Sequence, residues 1–430
     1  MGSNNWYFFN GDSSMDDYLG SIKFSDYQLD KNSQLLEDRT AWLESIGVQY
    51  IFLPVPNKET IYEEHLPAKI RANKGKSKYD QIIEFAAKNS SFTNYIDVQK
   101  LLLSHKKETQ LYLKTDSHWN KDGADIVYRE IIKRAQVLLP ELTPIEQKKE
   151  KDWVYNFSGD LSILMNLAGL VTETAPDLTI EETCKTKKHQ LMTSLKELPR
   201  YKNTPSIHFP YTGGCKDKKY KILFIHDSFG LFLRSYFSQQ FETVIYVKHM
   251  NFETAKALIE KERPDIVIDE RVGRNIERAL VPDPELEQMV LEAKFDTLGE
   301  TTTHLRGTSW NDYLINTAKH ITVKDGMLET LLSEKAPLSL KIDSPDSGPA
   351  PTAVKFDVTS KIDTELSFCY TPNDSSPYAH EQCANRGIKT GRNELYFRIL
   401  KPGRTGSLVI KAKEQETFLI HTVMAKQEED

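Results

Sequence analysis

Only four cysteines occur in the 430 residues, and none is spaced as CxxC, so the sequence offers neither a zinc ribbon nor a dithiol redox centre. No apolar run reaches the about eighteen residues that a membrane-spanning helix needs. A Gly-rich phosphate loop and an HExxH pair are also missing, which removes the usual carriers of nucleotide and zinc-hydrolase chemistry. Basic charge is short: 56 Lys and Arg stand against 62 Asp and Glu, a net charge of −6. Phosphate neutralisation needs a dense cationic surface, so nucleic acid is not the expected partner. Neither a metal nor a cofactor is expected.

What remains is 39% hydrophobic and 27% charged, the composition of a soluble globular chain. At this length one hydrophobic core is rarely enough, and two domains are expected. The cysteines fall as Cys184 with Cys215 and Cys369 with Cys383, a count that permits two disulfides in an oxidising compartment. Four cysteines allow three connectivities, and free thiols in a reducing compartment fit the count as well. The chain opens MGSNNWYFFNGD, where Met-Gly-Ser reads as an appended start, so a secretory signal or anchor is expected ahead of it in the native protein.

Along the chain, "VQYIFLPVP" from residue 48 reads as a buried strand closed by prolines. A helix follows at 76–88, then short strands at 92–98 and 109–114, and an amphipathic helix at 122–139 with Asp122 as its N-cap. After a less periodic stretch from 140 to 218, strands at 221–225, 241–247 and 265–269 alternate with helical spacing at 230–237 and 251–263. Repeated β-α-β units predict a mostly parallel sheet flanked by helices, with ligands beyond the carboxyl ends of its strands. Beyond residue 296 the texture changes. Six alternating runs between 338 and 423, punctuated by Pro, Gly, Asn and Asp, predict an all-β sandwich. The expected division is 1–295 and 296–430.

Two short stretches carry chemistry. "IHDSFG" places Ser228 where a buried strand gives way to a helix, at the sheet's carboxyl edge, with backbone N–H groups beside it suited to developing negative charge. Serine needs a base, and "LKTDSHWNKDG" supplies Asp116 and His118, a carboxylate and an imidazole at i, i+2. If strands 109–114 and 221–225 are neighbours, the three side chains converge. The alternative is plain: Asp116, Asp227 and Ser228 all suit helix capping without chemistry. His226 is a rival base, although a residue ending a buried strand commonly bonds locally, and His65, His208 and His249 have no nucleophile or carboxylate at telling spacing.

"DSHWNKDGA" at 116–124, "HDSFG" at 226–230, "GVQYIFLPVPNKETIYEEHLP" at 47–67 and "NNWYFFNGD" at the start together resemble the AlgJ/AlgX alginate O-acetyltransferase family, over roughly residues 5–280. The resemblance implies an SGNH-hydrolase-like domain in permuted order, the Asp-His pair preceding the serine. It further implies Ser228 as nucleophile, His118 as base and Asp116 as its orienting acid, passing acetyl to a hydroxyl of an alginate-like exopolysaccharide. Asn57, Lys58, Tyr62 and Arg271, each just after or within a strand of the same sheet, and Trp119 in the His118 loop are expected substrate contacts; structural roles fit each as well. By the same resemblance the C-terminal sandwich is expected to be carbohydrate-binding. Trp310, Tyr313, Tyr370, Tyr378 and Tyr396 are its candidate platforms and Arg392 and Lys401 its polymer contacts, against core packing and solvation as the alternatives. Expected partners are a polysaccharide acceptor, a membrane-bound O-acyltransferase as acetyl donor and other polymer-export proteins, in the periplasm or outside the cell. An acetylesterase using the same triad, or a non-catalytic polysaccharide-binding protein, remains open.

Overall fold

Apolar runs without polar alternation bury both faces of a strand, and four of them make the parallel part of the first sheet. Its order is Gln49–Val55, Ile266–Val272, Lys221–His226 and Thr243–Lys248, all parallel, followed at one edge by the short antiparallel pieces Tyr211–Gly213 and His189–Gln190. Every residue of Ile266–Val272 is buried, as a central strand covered by helices requires. The computed structural model describes residues 2–89, 92–145, 149–181, 189–190, 211–249, 251–299, 301–315, 321–343, 350–373 and 382–428. Cys184, His208 and Tyr378 lie outside them.

From Lys221–His226 the chain passes to Thr243–Lys248 on one side and then returns to Ile266–Val272 on the other. The carboxyl end of Lys221–His226 is therefore a topological switch point, where successive connections diverge and leave a crevice. Ser228 stands two residues past it. Helix Lys121–Leu138 covers the sheet with Ala124, Val127, Tyr128, Ile131, Ile132 and Ala135, a stripe at helical spacing. Its cap is Asn120, whose side chain accepts from the Gly123 N–H at 3.0 Å, and not Asp122. Helix Phe252–Glu262 is capped by Asn251 in the same way.

Two expected strands are not sheet strands. Residues 92–98 make a single bridge, Phe52 to Tyr95, before helix Val98–His105 begins. Residues 109–114 fold back on themselves: Tyr112 bridges Trp119, and the Asn120 N–H donates to the Leu111 carbonyl at 2.8 Å. Side chains replace a strand partner there, since the Tyr62 hydroxyl accepts from the Leu111 N–H at 2.8 Å. Sequence periodicity reports that Leu111, Tyr112 and Leu113 are buried, not what their backbone pairs with.

The chain falls into two compact units, residues 1–25 with 43–281 and residues 26–42 with 282–430, so the division precedes the expected one and the early helix segment goes with the second unit. That unit holds two antiparallel sheets. All six strands expected between 338 and 423 are present, the longest being Glu416–Gln427. Among the described residues four more join them: Thr301–Leu305, Ile321–Lys324, Met327–Leu332 and Gln382–Ile388. Cys369 and Cys383 face each other in register on neighbouring strands and form a disulfide. The buried Arg398 guanidinium is held by two carboxylates, Asp38 at 2.9 and 3.1 Å and Glu428 at 2.5 and 3.1 Å, which ties residues 26–42 to the sandwich.

Candidate active site

The turn after Lys221–His226 is fixed by Asp227. Its carboxylate accepts from the Phe229 N–H and the Val272 N–H, both at 2.9 Å, while its own N–H donates to Glu270 at 2.9 Å. Capping is thus done by Asp227, and the Ser228 hydroxyl is left to another partner. Gly230 follows because a Cβ there would stand 2.5 Å from the His226 Cβ. His226 itself is fully buried, with Nδ1 2.6 Å from the Asp227 carbonyl and Nε2 3.0 Å from the Arg234 guanidinium. Burial and the neighbouring cation push its pKa well down.

Ser228 Oγ lies 2.7 Å from His118 Nε2. On the far side of the ring, His118 Nδ1 lies 2.6 Å from Asp116 Oδ1, which also accepts the His118 N–H at 3.0 Å. Asp116 Oδ2 accepts the Asp160 N–H at 2.8 Å. Burial alone raises the Asp116 pKa, but the imidazole beside it and these backbone donors outweigh that and hold it at about 2. The group is ionised throughout the neutral range, as an imidazole-orienting carboxylate must be.

Several residues hold this loop, and two of the most important carry no catalytic signature. Asp160 accepts from the Ser117 N–H and hydroxyl, both at 2.6 Å. Glu173 accepts from the Lys114 N–H at 2.9 Å and from the Thr115 N–H and hydroxyl at 2.7 Å. Both lie on the segment the sequence left unassigned, and their only signal was an acid among polar neighbours. Gly159 is packed so closely that a Cβ would stand 2.5 Å from the Asp116 Cβ. Glu173→Gln, which removes the charge behind three loop donors, is expected to lower kcat about tenfold with acceptor KM unchanged, measured by steady-state kinetics.

The five residues expected at the substrate edge are all buried in this structure. The Asn57 side-chain oxygen Oδ1 accepts from the Arg274 guanidinium at 3.2 Å. Tyr62 stacks on Trp6 with ring centroids 4.2 Å apart. Trp119 donates from Nε1 to the Phe229 carbonyl at 3.1 Å and meets the Phe229 ring edge-on, welding the His118 loop to the Ser228 turn. Arg271 is 4% exposed at the end of its strand and offsets the charge around Glu270. Lys58 is 2% exposed, and its ammonium donates to three carbonyls, Leu113 at 3.0 Å, Lys114 at 3.1 Å and Asp116 at 2.6 Å. The rings of Trp6 and Phe8, from the opening motif, lie 5.6 and 5.4 Å from it. Lys58, Tyr62 and Trp119 therefore hold the His118 loop from within the fold, and Asn57 and Arg271 are interior residues as well.

In the sandwich, Trp310, Tyr370 and Tyr396 are buried and Tyr313 packs against the core, so the described aromatics named there are core residues. Arg392 pairs with Asp357 at 2.9 and 2.6 Å, and Lys401 pairs with Asp30.

A mostly parallel, helix-flanked sheet with Ser228 just past its switch point and the Asp116–His118 loop against it is the arrangement expected above for an SGNH-hydrolase-like domain. Residues 1–209 match the family model described as "SGNH hydrolase-like domain, acetyltransferase AlgX", and the resemblance to the AlgJ/AlgX family is borne out. The chain is 24% identical over 214 residues to "Probable alginate O-acetylase AlgJ" of Pseudomonas fluorescens, which covers 46% of this chain and 50% of that protein. It thus spans about half the length of the curated relative it matches. Among solved structures, it is similar to the O-acetyltransferase domain of Pseudomonas putida AlgJ (14% identity, TM-score 0.42, 69% of this chain and 98% of that one). It is also similar to Pseudomonas aeruginosa AlgX (12% identity, TM-score 0.39, 100% and 94%).

Proposed function

We propose that the chain is a polysaccharide O-acetyltransferase acting through an acetyl-serine intermediate. The observation that carries this reading is the continuous relay Ser228 Oγ, His118 Nε2, His118 Nδ1, Asp116, with contacts of 2.7 and 2.6 Å. The AlgX-type match over residues 1–209 supports acetyl transfer as its use.

In the first half-reaction Ser228 Oγ attacks the carbonyl carbon of an acetyl donor while His118 Nε2 takes its proton. The tetrahedral intermediate collapses, the donor's oxygen leaves with the proton from His118, and acetyl remains on Ser228. The Phe229 N–H is committed to Asp227, so the Ser228 N–H is the donor assigned here to the oxyanion. In the second half-reaction a polysaccharide hydroxyl gives its proton to His118 and attacks the acetyl carbon, and Ser228 Oγ leaves with that proton returned from His118. Asp116 keeps the ring in the tautomer that presents Nε2 as base. Lys58, Tyr62 and Trp119 support these groups through the loop that carries Asp116 and His118.

The acetyl donor is assigned to a membrane-bound O-acyltransferase and the setting to the periplasm or cell exterior. The Cys369–Cys383 disulfide supports an oxidising compartment. No helix among the described residues is long and apolar enough to cross a membrane.

Incubation with a chromogenic acetyl ester and an oligosaccharide, followed by intact-mass analysis, tests the reading. A single acetyl adduct absent from Ser228→Ala, together with acetylated sugar, is the expected result. Acetate release that ignores the acceptor would make the chain an esterase, and absence of both adduct and turnover would sink the enzyme.

A further inference from the structure

The catalytic unit turns most of its large apolar side chains inward, and among the described residues most of those left outside gather on one segment. Ile163, Leu164, Met165 and Leu170 are exposed, Leu164 by 66% and Leu170 by 81%. They lie between Phe157 and Glu173, which face each other as the last pair of an antiparallel hairpin, so residues 158–172 are its closed tip. Trp153, Val154 and Tyr155, on the strand entering that tip, are exposed in succession. Apolar side chains concentrated in this way mark a contact with something outside the chain.

The tip is built rather than slack. Its short helix Asp160–Leu164 turns Leu161 and Ser162 inward, and the chain then folds back on it: the Leu167 N–H donates to the Ser162 carbonyl at 2.8 Å and the Val171 N–H to the Leu167 carbonyl at 2.9 Å. Two serines close the loop. The Ser158 hydroxyl accepts from the Gly169 N–H at 2.9 Å, and the Ser158 and Ser162 hydroxyls donate to the Val171 carbonyl at 3.3 and 3.0 Å. Polar backbone is thereby satisfied within the tip while the aliphatic side chains stay outside.

The composition of the tip selects its occupant. From Leu161 to Thr172 the sequence "LSILMNLAGLVT" carries no charge, and Asn166 is the one exposed polar side chain in it. A protein socket is specified by a polar rim as well as an apolar floor, and this tip has almost nothing to offer a rim. The acyl boundary of a bilayer asks only for apolar side chains on a backbone whose hydrogen bonds are already made. Trp and Tyr favour the headgroup level, and Trp153 and Tyr155 stand on the strand just behind the tip.

We infer that the 158–172 tip inserts Ile163, Leu164, Met165 and Leu170 into the interface of a lipid bilayer and holds the catalytic unit against it. The contact does not depend on the acetyl-transfer reading. What that reading adds is a use: at the base of the same tip Gly159 packs on Asp116 and Asp160 holds Ser117, so the relay is kept at the membrane to which its acetyl donor is assigned.

The test is flotation of the full chain with phosphatidylcholine vesicles, which carry no net charge. Wild type is expected to float with them, and Leu164→Asp combined with Leu170→Asp to lower the partition coefficient at least about tenfold, with cleavage of a soluble chromogenic acetyl ester and unfolding temperature unchanged. An environment-sensitive dye on Leu164→Cys is expected to shift its emission to the blue on vesicles, and the same dye on Leu103→Cys, exposed elsewhere in the unit, to stay unshifted. Failure of wild type to float, flotation that the double variant keeps, or an equal shift at both dye positions overturns the insertion. Binding that needs anionic lipid would make the contact electrostatic, and binding seen only when a membrane-bound O-acyltransferase is in the vesicles would make the tip a protein dock; either result also overturns it. So does a lipid-free dimer that Leu164→Asp dissolves, which would assign the tip to a second copy. Flotation without an acetyl adduct on Ser228 upholds the membrane contact and sinks acetyl transfer; an adduct without flotation does the reverse.

Discussion

Ser228→Ala is expected to lower kcat/KM for acetyl transfer by about 10⁴-fold or more, and Asp116→Asn by a similar factor, because each breaks a relay that works as one unit. The serine variant loses the atom that carries the acetyl group. The asparagine variant keeps the shape of the loop but turns an N–H donor where His118 Nδ1 needs an acceptor, favouring the tautomer that leaves Nε2 unable to take a proton from Ser228. Because Asp116 titrates at about 2, held down by His118 and the backbone donors, wild type keeps this carboxylate charged at every pH near neutrality. The loss in Asp116→Asn is thus expected to be constant from about pH 5 to 8, being a tautomer defect and not a titration. Combining the two substitutions is expected to add little to the worse single one, since a broken relay cannot be broken twice. Kinetics on a chromogenic acetyl ester, with thermal unfolding to confirm an intact fold, checks all of this. Retention of more than about a tenth of wild-type activity in Ser228→Ala would contradict the relay.

The sequence showed the reacting groups more readily than what holds them. Ser228 was legible because a continuous apolar run ending in a polar turn has few other uses in a parallel sheet, and Asp116 and His118 because of their i, i+2 spacing. The means of convergence was misread. Residues 109–114 are buried like a strand but do not join the sheet, so the Asp116 loop reaches Ser228 through a clasp of side chains and the Trp119–Phe229 contact. Such a clasp is long-range: Glu173 is 58 residues from Thr115, and no local period reports it. In the sandwich, alternation revealed the six strongest strands and missed Gln382–Ile388, whose residues "QCANRGI" do not alternate between apolar and polar. Aromatic residue type alone could not separate platform from core there, since Trp310 and Tyr370 are enclosed.

Lys58→Met is expected to cost about a hundredfold in kcat with little change in acceptor KM, the second-largest effect after the relay itself. The substitution keeps most of the stem volume between Trp6 and Phe8 but removes the donor from three buried carbonyls, one of them that of Asp116. An abandoned buried acceptor costs about 1–3 kcal/mol, and the loop can recover part of that only by moving, which moves the acid. The pH dependence distinguishes this from loose packing. Burial lowers the Lys58 pKa from 10.5 to about 8, against the pull of Asp116, Glu173 and Glu59. Between pH 8 and about 10 the unfolded chain still holds this proton and the folded chain has released it, so stability contributed by this group rises with pH across that window. Activity is expected to move the opposite way. A neutral amine has two N–H bonds for three carbonyls, so one contact is lost and the loop slackens although the fold is not weakened. Wild type should therefore show an alkaline limb in kcat near pH 8, missing from Lys58→Met, with no matching fall in unfolding temperature; a limb of equal size in the variant would assign it to another group.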